Sequence, residues 1–261
     1  MEQKGIQLSI ITVNLNNAKG LSNTIDSVLR QPHLAVEFIV IDGGSVDESL
    51  AIIKGVADKL SYWVSEGDSG IYAAMNKGIK QARGNYLLFL NSGDTLVADQ
   101  PLDECLSLLG DHPDIVSCCI RVERDGLSDE LRSPIKKFTL QNLLMDSLPH
   151  QSTLIKRSLF LDHGFYDEGL RVGADWDFWL RLASHPIRYK HLALVLSRME
   201  KEGLGANMNN HHYKERLLIF ERYAKSLRLD FFFLRLIYRN RQLLAWYLRK
   251  LLGRGTSKKH R

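Results

Sequence analysis

Three carboxylates stand at the borders of apolar segments. Asp42 closes FIVID and is followed by Gly43 and Gly44, Asp94 follows YLLFL through Asn-Ser-Gly, and Asp175 opens DWDFWLRL with Asp177 two residues on. Each placement suits a different task. A carboxylate at a strand end accepts hydrogen bonds from a base N–H or a ribose hydroxyl. One in a turn at a sheet edge, completed by substrate phosphates, holds a hard divalent ion such as Mg²⁺ or Mn²⁺. One within reach of an acceptor hydroxyl is a general base. Residues two apart on a helix do not share a face, so Asp175 is expected to point into a cleft and Asp177 to pair or cap. A structural reading stands beside each: turn chemistry for Asp42 and Asp94, and a helix N-terminal acid for Asp175. Asp47 reads as an N-terminal helix residue.

These positions matter only if strand ends gather at one edge. Short β-branched or aromatic runs occupy residues 8–13, 36–41, 60–64 and 86–90, separated by helix-periodic segments. In the first connection Leu21, Ile25, Val28 and Leu29 share a face after the capping-type Asn16 and Asn17, and Pro32 ends the pattern. In the third, Ile71, Met75 and Ile79 recur before Gly84. Strands alternating with crossover helices predict an α/β fold with a mostly parallel sheet covered on both faces and ligands at the carboxyl ends of its strands. Farther on, residues 115–120 read as a strand, 140–145 and 156–160 as short helical pieces, and 176–182 as an amphipathic helix. No repeat or low-complexity linker intervenes, so the second half reads as an elaboration of the same sheet.

Composition agrees with a folded chain. Among 261 residues, 44% are hydrophobic, 25% charged and 9% aromatic, which excludes a disordered, collagen-like or disulfide-scaffold protein. Cys105, Cys118 and Cys119 match no metal or redox spacing and read as buried thiols of a reducing compartment. The apolar stretch in MEQKGIQLSIITV is too short for a secretory signal, and no window reaches roughly 18 uninterrupted apolar residues, so a cytoplasmic chain without a spanning helix is expected. Charge is uneven. Residues 228–261 hold ten Lys/Arg against Asp230, leaving 25 basic and 29 acidic side chains in residues 1–227.

The turn Asn14-Leu15-Asn16-Asn17-Ala18 carries no G-x-G-x-x-G, and no G-x-x-x-x-G-K-[ST] occurs in the chain. A bound nucleotide's phosphates therefore need another source of positive charge, for which a metal ion is the obvious supply.

In order and spacing, SIITVNLNN, FIVIDGGSVDES, SEGDSGIYAAMNKGI, GNYLLFLNSGD, LPHQSTLIKRSLF and GADWDFWLRL resemble the motifs of family 2 glycosyltransferases with the GT-A fold, over roughly residues 8–205. The resemblance is to bacterial enzymes of exopolysaccharide and lipopolysaccharide assembly. It implies a Rossmann-like sheet and an inverting transfer of a sugar from a nucleotide-sugar, usually a UDP-sugar, to an acceptor hydroxyl. It further implies that Val13, Asn14, Asp42 and Asp68 line the nucleoside pocket and that Asn76 and Lys77 face the donor diphosphate, unless that helix face is merely solvated. By the same resemblance Asp94 holds Mg²⁺ or Mn²⁺, Asp175 is the catalytic base, and His150 and Trp176 lie on the acceptor side. The sequence departs from the family's usual residues at Leu15, Ser69, Ala73 and Ala174, which bears on the nucleoside pocket and donor identity more than on catalysis. His211 and His212, an adjacent pair read as lying in a polar surface loop, are left out of the metal set.

Residues 1–226 thus read as one GT-A domain, with 1–98 the nucleotide-sugar half and 99–226 the acceptor half. Residues 227–261 form a helical basic tail, in which aromatic and leucine side chains alternate with arginines, as in a helix lying on an anionic membrane surface. Packing of that helix on the body is the alternative, and no nucleic-acid-binding module accompanies it. The expected acceptor is a lipid-linked saccharide on the cytoplasmic face of the inner membrane. Two other functions compete: a non-catalytic saccharide- or membrane-binding protein on a transferase scaffold, suggested by Ala73 and Ala174, and a sugar-nucleotide-forming nucleotidyltransferase, which normally has a Gly-rich basic loop after its first strand. The sequence is silent on oligomeric state.

Overall fold

A computed structural model of the chain describes residues 6–31, 35–98, 102–123, 128–200 and 210–224. These fall in two units that divide between Asn207 and Met208.

The first unit starts with the alternation read from the sequence: β1 (Leu8–Asn14), α1 (Ala18–Leu29), β2 (Val36–Asp42), α2 (Ser49–Gly55), β3 (Tyr62–Ser65), α3 (Ile71–Gln81) and β4 (Tyr86–Phe89). β1 is buried along its whole length, as a near-continuous apolar strand covered on both faces must be. It pairs in parallel with β2 on one side and β4 on the other, and β2 pairs in parallel with β3. α1 buries Leu21, Ile25 and Val28, three of the four residues that its periodicity selected. α3 buries Met75 and Ile79 together with Tyr72, Ala73, Ala74, Asn76 and Gly78, so little of it is left to solvent.

The chain continues through β5 (Thr95–Leu96), α4 (Leu102–Ser107), β6 (Ile115–Val122), β7 (Glu130–Arg132), α5 (Leu140–Met145), β8 (Thr153–Lys156), α6 (Arg157–His163), α7 (Ala174–Leu182) and β9 (Tyr189–Met199). Among the described residues all nine strands join one sheet in the order β3-β2-β1-β4-β8-β6-β9-β5, with β7 on β6. The sheet is parallel over its first four strands and mixed beyond them, because β8 enters antiparallel between β4 and β6 while β9 runs parallel to β6. β8 and β9 carry no usable alternation in the sequence. β8 has only four residues, and the pairing of β9 with β6 shifts register around Cys118 and Cys119. All three cysteines are free and buried, as expected.

In the second unit α8 (Asn210–Ala224) contains His211 and His212 near its start, so the pair stands in a helix and not in a loop. The tail at 227–261 and Pro32 lie outside the described residues. Among the described residues no helix is long and apolar enough to cross a membrane.

Between α3 and β4 the chain passes hard against β1. The Gly84 N–H donates to Ser9 Oγ at 2.9 Å and to Glu37 Oε1 at 3.2 Å, and a Cβ on residue 84 would lie 2.6 Å from Ser9 N. Backbone cannot yield as a side chain can. Gly84→Ala is therefore expected to cost roughly 2–3 kcal/mol in urea unfolding, whereas Gly55→Ala, which meets nothing within 4 Å, should change stability by less than about 1 kcal/mol.

Candidate active site

The carboxyl ends of the first parallel strands are tied together through Asp42. This side chain is fully buried and accepts from Asn14 Nδ2 at 2.7 Å, Ser45 N at 2.9 Å, Ser45 Oγ at 2.5 Å and Ser65 Oγ at 2.6 Å. Burial works to raise its pKa, yet the hydrogen bonds from Ser45, Ser65 and Asn14 hold the carboxyl below its ordinary range. It is a buried anion that is fully solvated by protein. The loop after β1 is stitched to the loop after β2 a second time: Asn16 adopts a left-handed conformation at φ 51°, its N–H donating to Ser45 Oγ and its side chain accepting from Val46 N. Asp47 accepts from Ser49 N at the start of α2, as the sequence suggested, and also from Ala18 N at the start of α1.

Asp68 lies beside this node. Its Oδ2 is 3.5 Å from where a Cβ on Gly43 would stand, and its Oδ1 is 2.5 Å from Lys77 Nζ. Lys77 also meets Glu66 at 2.7 Å, and the Asp68 and Glu66 carboxylates raise its pKa. Asn76 is turned the other way. Both of its amide hydrogens are engaged, by Tyr166 O at 3.0 Å and Glu168 Oε1 at 2.9 Å, while its oxygen accepts from Tyr166 N. It fastens the loop before α7 to α3.

Asp94 is placed by α1. Thr24 Oγ1 receives Gly93 N–H at 3.0 Å and donates to Asp94 O at 2.7 Å, Asn17 caps α1 and donates to Ser92 O, and Val13 O accepts from Ser92 N. The Asn91–Asp94 turn is thus held against the end of β1. Gly93 suits the turn because its backbone sits at φ 102°, a conformation strained for residues with a side chain. The Asp94 carboxyl is 6% exposed, and burial pushes its pKa up to about 6; His150, the Gln151 side chain and Glu200 N–H pull it back in part, and the Glu200 charge adds to the rise. It is an anion short of counter-charge. Among the described residues no three His, Cys, Asp or Glu side chains cluster as a closed metal shell. What Asp94 offers, with Glu200 adjacent, is an open site for a hard cation to be completed by substrate oxygens, which fits Mg²⁺ or Mn²⁺.

Asp175 stands in the first turn of α7 with its carboxylate between two polar groups. Tyr72 OH, which donates to Val172 O at 2.7 Å, lies 3.1 Å from Oδ1, and His150 Nδ1 faces Oδ2 at 3.3 Å. Burial opposes the charge, but the hydrogen bond and charge of His150, the Trp176 N–H and the Tyr72 hydroxyl hold its pKa below the ordinary range. The other imidazole nitrogen, Nε2, is 3.3 Å from Asn91 Nδ2, in the turn that carries Asp94. Trp176 is buried, and its indole N–H donates to Leu143 O at 2.6 Å, which fixes α7 to α5.

Several polar partners escaped the residue-by-residue reading, among them Ser45, Ser65, Tyr72, Asn91 and Gln151. Each stands inside a segment that had drawn notice. What sequence lacks is direction. Tyr72 shares α3 with the core residue Met75, and its hydroxyl reaches Asp175 only because α3 and α7 come together 103 positions apart.

A parallel βαβ half continued by a mixed sheet is the GT-A glycosyltransferase fold. Staphylococcus aureus TarS 1–349 in complex with UDP-GlcNAc superposes with a TM-score of 0.69 at 20% identity, covering 86% of this chain and 68% of that one. The mannosyltransferase PcManGT of Pyrobaculum calidifontis, in complex with GDP-Man and Mn²⁺, gives 0.63 at 18% identity, covering 86% and 65%. Residues 9–169 match the glycosyl transferase family 2 profile. An uncharacterised glycosyltransferase of Mycobacterium tuberculosis is 34% identical over 206 residues, 77% of each chain, and the PGL/p-HBAD biosynthesis glycosyltransferase of Mycobacterium bovis is 32% identical over 222 residues, 80% of this chain and 83% of the relative. The chain belongs to glycosyl transferase family 2.

The raised pKa of Asp94 has a stability consequence whose sign follows from linkage. Its folded value of about 6 exceeds its unfolded value, so the folded state binds the extra proton and the penalty is absent below about pH 4 and complete only above about pH 6. In EDTA, Asp94→Asn is expected to stabilise the chain by about 1–3 kcal/mol at pH 7.5 and to have little effect at pH 4, read from urea unfolding at both pH values.

Proposed function

We propose that this family 2 member is a metal-dependent inverting glycosyltransferase that moves a sugar from a nucleoside-diphosphate sugar, with UDP-sugars favoured, to the hydroxyl of a lipid-linked saccharide in cell-surface polysaccharide synthesis. The observation that carries the reading is the gathering at one sheet edge of an acid node for the nucleoside (Asp42), a buried acid lacking counter-charge (Asp94) and a hydrogen-bonded acid at a helix start (Asp175). Val13, Asn14, Asp42 and Asp68 form the nucleoside side, where Asn14 Oδ1 is a buried acceptor with no partner among the described residues. Lys77 holds Asp68 in place, and Asn76 acts through the loop it fastens. A divalent cation held by Asp94 supplies charge to stabilise the departing diphosphate. Asp175 serves as the base, on the side of the sugar opposite the leaving group. His150 stands between the Asp94 turn and the base, and Trp176 props α7 on the acceptor side.

The donor class is supported by neighbours of the same fold that were solved with UDP-GlcNAc and with GDP-Man and Mn²⁺, and a biosynthetic role by the relative named for PGL/p-HBAD biosynthesis. The basic, aromatic composition of residues 227–261 supports peripheral attachment at the cytoplasmic membrane face.

Calorimetric titration of UDP, GDP and dTDP tests the donor side. Binding of one diphosphate is expected with Mn²⁺, falling at least about 10-fold in EDTA and in Asp94→Ala; metal-independent binding would remove Asp94 from this role. Asp175→Asn is expected to keep that binding while losing roughly 100-fold or more in sugar transfer. Full biological activity in the Asp175→Asn chain would favour a non-catalytic binding protein on the same scaffold.

A further inference from the structure

Resting on the reading of Asp175 as the base, we propose that Tyr72 is a positioning residue for the transfer: its hydroxyl bridges Asp175 Oδ1 and Val172 O and shifts its proton between them as the base changes charge. The hydroxyl lies 3.1 Å from Oδ1 and 2.7 Å from Val172 O, and it has one proton to give. A carboxylate is a stronger acceptor while it is ionised than after it has been protonated. The proton is therefore drawn toward Oδ1 before the transfer and released to the carbonyl after it. Neither state strands a buried hydroxyl without an acceptor.

The surroundings of Tyr72 suit this role. The residue is 5% exposed, its ring packs on Tyr166 at 5.5 Å between centroids, and Tyr166 in turn packs on Phe89, Phe160 and Phe178. Burial and the Asp175 charge raise the pKa of the hydroxyl well above its ordinary value, so it keeps its proton and remains a donor. One turn along α3, Asn76 shares the face of Tyr72 and fastens Tyr166 and Glu168. α3 thus takes the loop before α7 at both ends, with Asn76 at its start and Tyr72 at Val172 and the base itself. Two other titratable groups act on Asp175: His150, on Oδ2, and the buried Tyr166 hydroxyl. Both are left in place when the Tyr72 oxygen is removed.

The step balances. The acceptor oxygen forms its bond to the anomeric carbon as the bond from that carbon to the phosphate oxygen breaks, and the electron pair leaves with the nucleoside diphosphate. The acceptor proton passes to the Asp175 carboxylate, and Tyr72 gains and loses none.

Tyr72→Phe keeps the ring and its packing and deletes only the oxygen. Two measurements on it decide the matter. The first is the ¹³C titration of the Asp175 carboxyl in the full chain, in EDTA and without donor, assigned by its loss in Asp175→Asn. Asp175 is expected to titrate at higher pH in Tyr72→Phe than in the unaltered chain, because a donor that favours its anion is gone. Titration at the same pH would make Tyr72 only a strut for the loop at Val172 and overturn the proposal. The second is nucleoside diphosphate release from UDP-glucose, UDP-GlcNAc and GDP-mannose with Mn²⁺, water being the acceptor. Tyr72→Phe is expected to bind the diphosphate as the unaltered chain does and to lose roughly 10-fold in release. Release within about 2-fold of the unaltered chain, or diphosphate affinity that falls in step with release, would overturn the proposal. An unaltered chain that cleaves none of the three donors counts against the transferase reading, and the titration alone then decides whether Tyr72 positions Asp175.

Discussion

Everything at the functional edge depends on one buried charge. Asp42 is removed from water and repaid by four hydrogen bonds, drawn from the end of β1, the loop after β2 and the end of β3. A buried carboxylate left short of such partners would be severely unfavourable, so the loops are free to move only at the cost of exposing or stranding it. That is how a set of polar connections becomes rigid without a hydrophobic core of its own. The same condition extends to Asp94 through the side chains of α1, because Asn17 and Thr24 grip the turn that carries it while Leu21 and Ile25 anchor the helix in the core.

The acids at this edge differ in how well the protein satisfies them, and the difference sorts them into roles. Asp42 and Asp175 are held below the ordinary carboxylate range by donors; Asp94 is pushed above it by burial. Asp42, met on all sides, ties loops together. Asp94, short of donors, is the one to which a cation would bring most, and its burial costs stability, as is common at functional sites. His150 and Gln151, in the single turn before β8, reach Asp175 and Asp94 respectively, so the insertion of an antiparallel strand beside β4 links the turn that carries Asp94 to the start of α7.

The first half of the fold was legible because its strands are buried on both faces and its helices keep one apolar stripe, and such patterns survive in a linear sequence. β8 and β9 were not, since one is short and the other changes register along its length. The acids Asp42 and Asp94 were legible by position after apolar runs, and Asp175 by position at the start of an amphipathic helix. Their partners were not: Ser45, Ser65, Tyr72 and Asn91 are ordinary residue types, and only the crossing of distant elements gives them a carboxylate or an imidazole to meet. Asn76 shows the converse. Its segment resembles a donor-binding motif, yet its amide is committed to Tyr166 and Glu168, 90 and 92 positions away.

The central claim is that these acids form one donor site built on the Asp42 node. A crystal structure with the nucleoside diphosphate that binds best and Mn²⁺, with anomalous data at the manganese edge, tests it most directly. The account requires a manganese peak bound by the Asp94 carboxylate and bridging the diphosphate, with the nucleoside over Gly43 between Asn14 and Asp68. Manganese bound elsewhere, or a nucleotide lying away from Asp42 and Asp68, would contradict it.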